Sequence, residues 1–433
     1  MRVSLSGKPF NRHSFSTLWV DGTAGPVGSL EQASAAVLLG LGGTATLTTW
    51  VRSPLLAWAY ALGVFLLAGV WAAREVFTPR PLRITLPGVA LAAMSLGGFV
   101  QLGMSRLGTA ATVYRYATLD AAVRTAALGA TAFAASRVLR NPRLRLEFLA
   151  AFAWFGFAVS VVAVLTYFTS PGRVLWIFAS PYPDTWGPFL SRNDFAGFLE
   201  LSFPVTFWLC LSDSVGSPRS PARIPARIPA QIPAQIPAWI PAWMLAAGVA
   251  SASRAGAILV VAEAIAIFAI TRRRRVMGKF AVAAAVFIAI TGAGTLLGRL
   301  ADPNPFAYRR EIARSTVEMI AAHPWRGFGV GTFSQVYPAY ATFDAGAAVE
   351  HAHNDWLEWA AGGGVFYAAA WVALALALCV PAVRSLWALG IMAAFLHAMV
   401  DYPFARFGLT AWTFALIGAL DADKLRELTG RVH

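Results

Sequence analysis

The chain has 433 residues, of which 58% are hydrophobic and 13% charged, with a mean hydropathy of +0.60. Soluble domains carry about 25% charged and about 45–50% apolar residues, so a soluble globular fold is excluded. The formal charge of +14 is that of basic loops flanking membrane spans, and nucleic-acid binding is not expected. Cys210 and Cys379 each lie in an apolar run, which excludes a disulfide framework and argues against thiol chemistry.

Residues 1–32 carry Arg2, Lys8 and Arg12 but no apolar run suited to a signal peptide, so they are expected to be a mature cytoplasmic segment. Apolar stretches follow near 33–49, 54–73, 84–103, 119–136, 147–168, 194–211, 238–253, 255–271, 280–298, 364–383, 386–400 and 407–421. At about 20 residues per crossing, they predict an all-α polytopic membrane protein of twelve spans, a single membrane domain over the whole chain. The densest basic clusters, near Arg74, Arg137, Arg223 and Arg272, fall on one side of that count together with both termini. That side holds 22 of the 35 basic residues, including Lys8, Lys279 and Lys424. Both termini are therefore expected in the cytoplasm.

From Pro221 the chain reads PARI-PARI-PAQI-PAQI-PAWI-PAW. Proline at every fourth position forbids a helix and pushes each preceding residue to extended geometry. Residues 212–237 are expected to form a cytoplasmic linker.

Between the ninth and tenth spans lies a long outer loop, 299–363, and loops of that length are usually functional. Its first part, from Phe306 to His323, has helical periodicity with Arg309 in the apolar stripe beside Ile312, Ala313, Thr316 and Ile320. An inward-facing arginine requires an anionic partner. Arg310 falls at the stripe's edge, and Arg314 and Glu318 form an exposed pair. The string Gly327-Phe-Gly329-Val-Gly331 follows a helix and not a buried strand, so it reads as a glycine-rich turn and not a nucleotide loop. The second part is His351-Ala-His353-Asn354-Asp355-Trp356-Leu357-Glu358. Asp355 and Glu358 match a capping box, so a short helix should begin at Asp355 with His353 just ahead of it. Three roles are open to His353: a metal ligand with His351 and Asp355, a structural histidine, or a general base near neutral pH.

Ionisable groups within spans are functional hypotheses by default. Arg254 stands at the outer end of the eighth span after Ser251-Ala-Ser253. Asp120 with Arg124, and His397 with Asp401, are four apart and are expected to pair on one helix face. Glu200 and Glu263 have no local partner.

These strings, SRNDFAGFLEL with Asn193, SASRAG at Arg254, Arg309 through HPWRGFGVGTF, HAHNDWLEW and HAMVDYPF, resemble in order and spacing the O-antigen ligase and Wzy polymerase superfamily of bacterial envelope glycosyltransferases. The resemblance runs from about Asp194 to the end. It implies metal-independent, cofactor-free transfer of a glycan, with inversion, from an undecaprenyl-pyrophosphate-linked donor to an acceptor hydroxyl. The reaction would take place on the periplasmic face of the inner membrane, among membrane lipids, and the 299–363 loop would be catalytic. His353 matches the family's loop histidine, and Arg254 and Arg309 its diphosphate-binding arginines, with Arg310 beside them and Asn193, His351, Asp355 and Glu358 as supporting candidates. One departure is Gly362, where relatives often have Glu before a glycine; Glu358 or Asp355 would have to substitute.

The acceptor decides between an O-antigen ligase acting on lipid A core, a polysaccharide polymerase and a protein glycosylase, and nothing in the chain separates them. A transporter of lipid-linked sugars should show internal repeats and paired broken helices, which are not evident. Asp421-Ala-Asp423 fits a D-x-D metal signature, although two acids at a helix end are ordinary juxtamembrane residues.

Overall fold

The computed structural model describes residues 27–51, 53–77, 85–212, 236–302, 306–344, 346 and 348–430. Most of the N-terminal segment and of the proline repeat therefore lie outside the described residues. The helices are α1 (Ser29–Leu47), α2 (Pro54–Phe77), α3 (Leu86–Arg106), α4 (Arg115–Val138), α5 (Pro142–Thr169), α6 (Arg192–Ser212), α7 (Trp239–Ala250), α8 (Arg254–Thr271), α9 (Arg274–Thr291), α10 (Gly294–Leu300), α11 (Ala307–Ala322), α12 (Phe333–Val336), α13 (Asp355–Arg384), α14 (Leu389–His397) and α15 (Phe407–Gly430). A hairpin of β1 (Arg173–Val174) and β2 (Phe178–Ala179) sits between α5 and α6.

Local sequence sets several of these starts. Thr85, Asn141 and Ser253 cap α3, α5 and α8 by accepting from backbone N–H groups of the first turn, and Pro142 opens α5 where no N–H partner is needed. The same tolerance admits Pro241 into the first turn of α7, so the last repeat unit is helical.

A helix stands at each of the twelve apolar stretches, but the count of twelve crossings does not follow. Among the described residues six helices are long and apolar enough to span a membrane, or seven if α9 and α10, bent by 87°, count as one broken span. The 12 residues of α7 rise only about 18 Å at 1.5 Å each, short of a hydrocarbon core of about 30 Å. The Leu386–His397 stretch is equally short. Helices α1 and α4 are long enough but too polar, with Glu31 and Gln32 in one and Asp120 and Arg124 in the other. The Asp120–Arg124 pair forms as expected, at 2.7 Å.

Helix α6 is the buried centre, packed by α5, α7, α8 and α14. Its phenylalanines 195, 198, 203 and 207 are fully enclosed. Within it Glu200 accepts a 2.7 Å bond from His397 at the end of α14. This corrects one expectation: His397 pairs with Glu200, 197 residues away in the chain, and not with Asp401 four residues along, while Glu200 has, as expected, no local partner. Helix α14 stops at His397, so Asp401 is not on the same face.

The long 299–363 loop is fastened to the bundle through its glycine-rich turn. Gly327, Gly329 and Gly331 all have positive φ, a conformation that costs glycine little. The turn's Phe328 and Gly329 N–H groups bond the Ala361 and Gly362 carbonyls at 3.0 and 2.8 Å. Gln101 of α3 completes the joint, donating to the Arg326 and Gly362 carbonyls and accepting from the Val330 N–H. Helix α13 breaks at Gly364 (φ 74°), where Val365 donates to the Pro324 carbonyl at 2.8 Å. Residues 355–363 thus form the expected short helix, joined by a kink to the span that follows.

Close helix contacts rely on small residues. A Cβ on Gly418 of α15 would lie 2.3 Å from the Ala132 carbonyl of α4, whereas one on Gly69 of α2 would meet nothing within 4 Å. Gly418→Ala is expected to lose about 1–3 kcal/mol of stability by forcing the backbones apart, and Gly69→Ala to lose none. Thermal unfolding of both purified variants in one detergent checks this; equal melting temperatures would disprove the contact.

Candidate functional site

The sequence-selected residues meet at one carboxylate. Asp401, in the turn between α14 and α15, is only 5% exposed. Its Oδ1 lies 3.4 Å from His353 Nδ1 and accepts the Tyr402 N–H at 3.1 Å. Its Oδ2 accepts from Asn193 of α6 and, at 3.4 Å, from Arg309 Nη2 of α11. Arg309 also donates to the Val400 carbonyl. The partner demanded by an arginine on the buried stripe is therefore Asp401. Burial alone would raise the Asp401 carboxyl, but the bond from His353 and the charge of Arg309 hold it well below the usual carboxylate range. It is an anion at any physiological pH.

His353 is held in a left-handed backbone conformation, φ 52°, which is rare for a residue with a Cβ and marks an imposed geometry. Its ring stands edge-on to Tyr402, 4.9 Å between centroids, and its side chain is 25% exposed. Asp401 faces one ring nitrogen and leaves the other for a ligand. Burial pushes the Tyr402 hydroxyl up to about 12, so it is a neutral phenol.

The other loop histidine has a different partner. His351 Nδ1 is 3.0 Å from Glu358 Oε1, and its ring stacks on Tyr402 at 4.5 Å. Glu358 Oε2 also accepts the Ala352 N–H at 2.9 Å. The α13 cap is Asn354, whose side chain accepts from Leu357 N–H, and not Asp355. Asp355 is buried, its carboxylate accepting the Phe404 N–H at 2.9 Å and its own N–H donating to the Ala398 carbonyl. Neither Glu358 nor Asp355 is hydrogen-bonded to His353; the carboxylate that faces its ring is Asp401. His351, His353 and Asp355 do not converge, and among the described residues no group of three or more such side chains is arranged to hold a metal.

Arg254, the first residue of α8, donates through Nε to the Arg299 carbonyl at 2.8 Å and through Nη2 to Asp302 at 3.0 Å. Arg299 is within electrostatic reach of both Arg254 and Arg309. Arg310 is on the exposed side of α11, away from Asp401. The lower part of α11 follows the expected stripe, with Ile312 and Thr316 buried and Glu311, Arg314 and Glu318 exposed. A further ion pair supports the floor: Arg406 bonds the buried Asp194 at 3.1 Å and lies over the Tyr402 ring.

The α-helical fold with its long apolar helices is that of a multi-pass membrane protein whose polar site is built at helix ends. Residues 240–372 match the family described as O-Antigen ligase. That stretch, less than a third of the chain, contains Arg254, Arg309, Arg310, His351, His353, Asp355 and Glu358 but neither Asn193 nor Asp401. The match supports the O-antigen ligase and Wzy polymerase superfamily, and with it a glycosyltransferase-type enzyme of polysaccharide biosynthesis. No curated protein matches the chain.

The His351–Glu358 pair makes the loop sensitive to pH. Burial works to lower the His351 ring, but the Glu358 carboxylate outweighs it, with Glu350 adding and Arg406 opposing, and holds it above the ordinary 6.5. A raised folded value means stabilisation that is full below 6.5 and lost as pH rises through the folded value. Proteolytic cleavage within 340–354 is expected to speed up on going from acid to alkaline pH, and His351→Gln should flatten that dependence. A variant with the parent's pH profile would remove the pair from this role.

Proposed function

We propose that the protein transfers a glycan from an undecaprenyl-pyrophosphate carrier to an acceptor hydroxyl at the periplasmic face of the bacterial inner membrane, inverting the anomeric centre without a metal. The observation that carries this reading is the shared carboxylate: a base and an anion-binding arginine are fixed on opposite oxygens of Asp401. Asp401 accepts the Nδ1–H of His353, which selects the tautomer with a lone pair on Nε2. Nε2 takes the proton of the acceptor hydroxyl as its oxygen bonds the anomeric carbon. The bond from that carbon to the phosphate oxygen breaks, and its electron pair leaves with the lipid diphosphate. Arg254 and Arg309 supply the fixed charge that the diphosphate requires, and arginine's planar fork suits its oxygens.

The orientation rests on charge and on helix direction. The site gathers the N-terminal ends of α6, α8, α13 and α15 with the C-terminal end of α14, while the basic clusters near Arg74, Arg137 and Arg272 lie at the other ends of their helices. Lipid A core is the acceptor that makes the enzyme an O-antigen ligase; the end of another carrier-linked repeat or a protein hydroxyl would make it a polymerase or a protein glycosylase.

With purified protein and lipid-linked glycan, His353→Ala is expected to lose about 10²–10⁴-fold in transfer rate with carrier binding nearly intact. Arg309→Gln should weaken both carrier binding and turnover. Asp401→Asn, which keeps the shape but not the charge, should lower the rate and shift its pH profile. A fully active His353→Ala enzyme would overturn the base assignment. In a cysteine-free background, Arg274→Cys and Thr342→Cys should label oppositely in cells with an impermeant thiol reagent; equal labelling would overturn the orientation.

A further inference from the structure

The break between α9 and α10 has a consequence for the donor site. Helix α9 ends at Thr291, Gly292 turns the chain with φ 83°, and α10 leaves at 87° to α9. Leu296 buries itself against Ala252 and Ala257 at the α7–α8 corner. The short helix therefore carries Arg299, in its last turn, to the head of α8, where the Arg299 carbonyl accepts the 2.8 Å bond from Arg254.

The guanidinium of Arg299 is in electrical contact with those of Arg254 and Arg309, and with that of Arg192 at the start of α6. Three of these four cations are bonded to a carboxylate: Arg192 to Asp184, Arg254 to Asp302 and Arg309 to Asp401. Among the described residues none is bonded to Arg299, and its Nε–H is buried without a hydrogen-bond partner. The acid it feels, Asp302, is already bonded to Arg254. A buried donor left unpaired costs free energy, as does a fourth like charge, unless an anion completes the set.

We propose that Arg299 is a third arginine of the donor site, placed to meet the negative charge that appears on the diphosphate as the glycosidic bond breaks, while Arg254 and Arg309 meet the charges already present. This rests on the reading of function above. The donor's diphosphate is esterified at both ends and carries one ionised oxygen on each phosphate. When the bond to the anomeric carbon breaks, the electron pair stays on the bridging oxygen, and the departing lipid diphosphate gains a third charge. The acceptor's proton has gone to His353, so nothing on the leaving group cancels that charge. A cation that matches only the developing charge accelerates the reaction without tightening donor binding.

The test uses the full-length purified protein and two lipids, the undecaprenyl-diphosphate-linked glycan and undecaprenyl diphosphate itself. Arg299→Gln is expected to lower kcat about tenfold with KM changed less than about twofold, and to weaken undecaprenyl diphosphate about tenfold with little effect on the donor. Arg299→Lys should recover part of the loss by keeping the charge without the fork. Arg254→Gln should weaken both lipids. Melting temperatures confirm that each variant is folded. If Arg254→Gln weakens both lipids while Arg299→Gln affects neither, or affects both alike, the role of Arg299 is overturned and the donor reading stands. If the parent protein binds neither lipid, the reading of function falls with it.

Discussion

The Asp401 carboxylate is the constraint around which one end of this molecule is organised. An ion that is 5% exposed is tolerated only if its neighbours replace the water it has lost. Asp401 obtains that replacement from four places: Asn193 of α6, Arg309 of α11, His353 of the long loop and the Tyr402 N–H beside it. The loop is thus tied to the bundle by electrostatic need as well as by apolar packing. Because His353 and Arg309 share one carboxylate, their spacing is set by a group of atomic dimensions and not by a flexible loop. This is how a site is kept in geometry when one of its parts lies on a long connection.

The surrounding architecture reinforces the same sign of field. The N-terminal ends of α6, α8, α13 and α15 gather here, and each helix start carries partial positive charge on its unpaired N–H groups. Arginines stand at or near three of those starts, as Arg192, Arg254 and Arg406. The acids mixed among them, Asp184, Asp194, Asp302 and Asp401, are each engaged by a cation. They offset the mutual repulsion of the arginines and keep the cluster foldable. Within the bundle the Glu200–His397 pair joins α6 to α14, and Glu263 of α8 is buried with neither carboxylate oxygen hydrogen-bonded among the described residues.

Periodicity and composition made the helices legible, because apolar runs of spanning length have no other stable form in a bilayer. The number of crossings was not legible in the same way. Run length counts residues, while α7 and the Leu386–His397 stretch are short because turns at Ser251 and Ser385 interrupt them. For the site, Arg309 in an apolar stripe announced that it needed an acid, but the acid lies 92 residues away and no local pattern points to it. The local rule pointed wrongly: four-residue spacing paired His397 with Asp401, yet the helix ends between them and each finds its partner on another element. Asn193, His353 and Arg309 were identified from resemblance and chemistry. The carboxylate that unites them stands in the string HAMVDYPF, where four-residue spacing points to the wrong neighbour.

Gly362 shows why the carboxylate comes from that side. A Cβ there would press to 3.2 Å of the Gly329 carbonyl oxygen and of Val330 Cα, at the joint where the glycine-rich turn bonds the Ala361 and Gly362 carbonyls. Gly327 leaves still less room, since a Cβ on it would come within 2.3 Å of the Gly362 carbonyl oxygen. A side chain at Gly362 would therefore require the facing backbone to give by a few tenths of an ångström at this joint. In this chain the position is spent on fastening α13 to the turn, with Gln101 bonding both sides. The negative charge facing His353 must then be supplied from beyond α14. Asp401 is so placed because the Asp355 N–H bonds the Ala398 and Asp401 carbonyls, so the helix that presents His353 also fixes its partner.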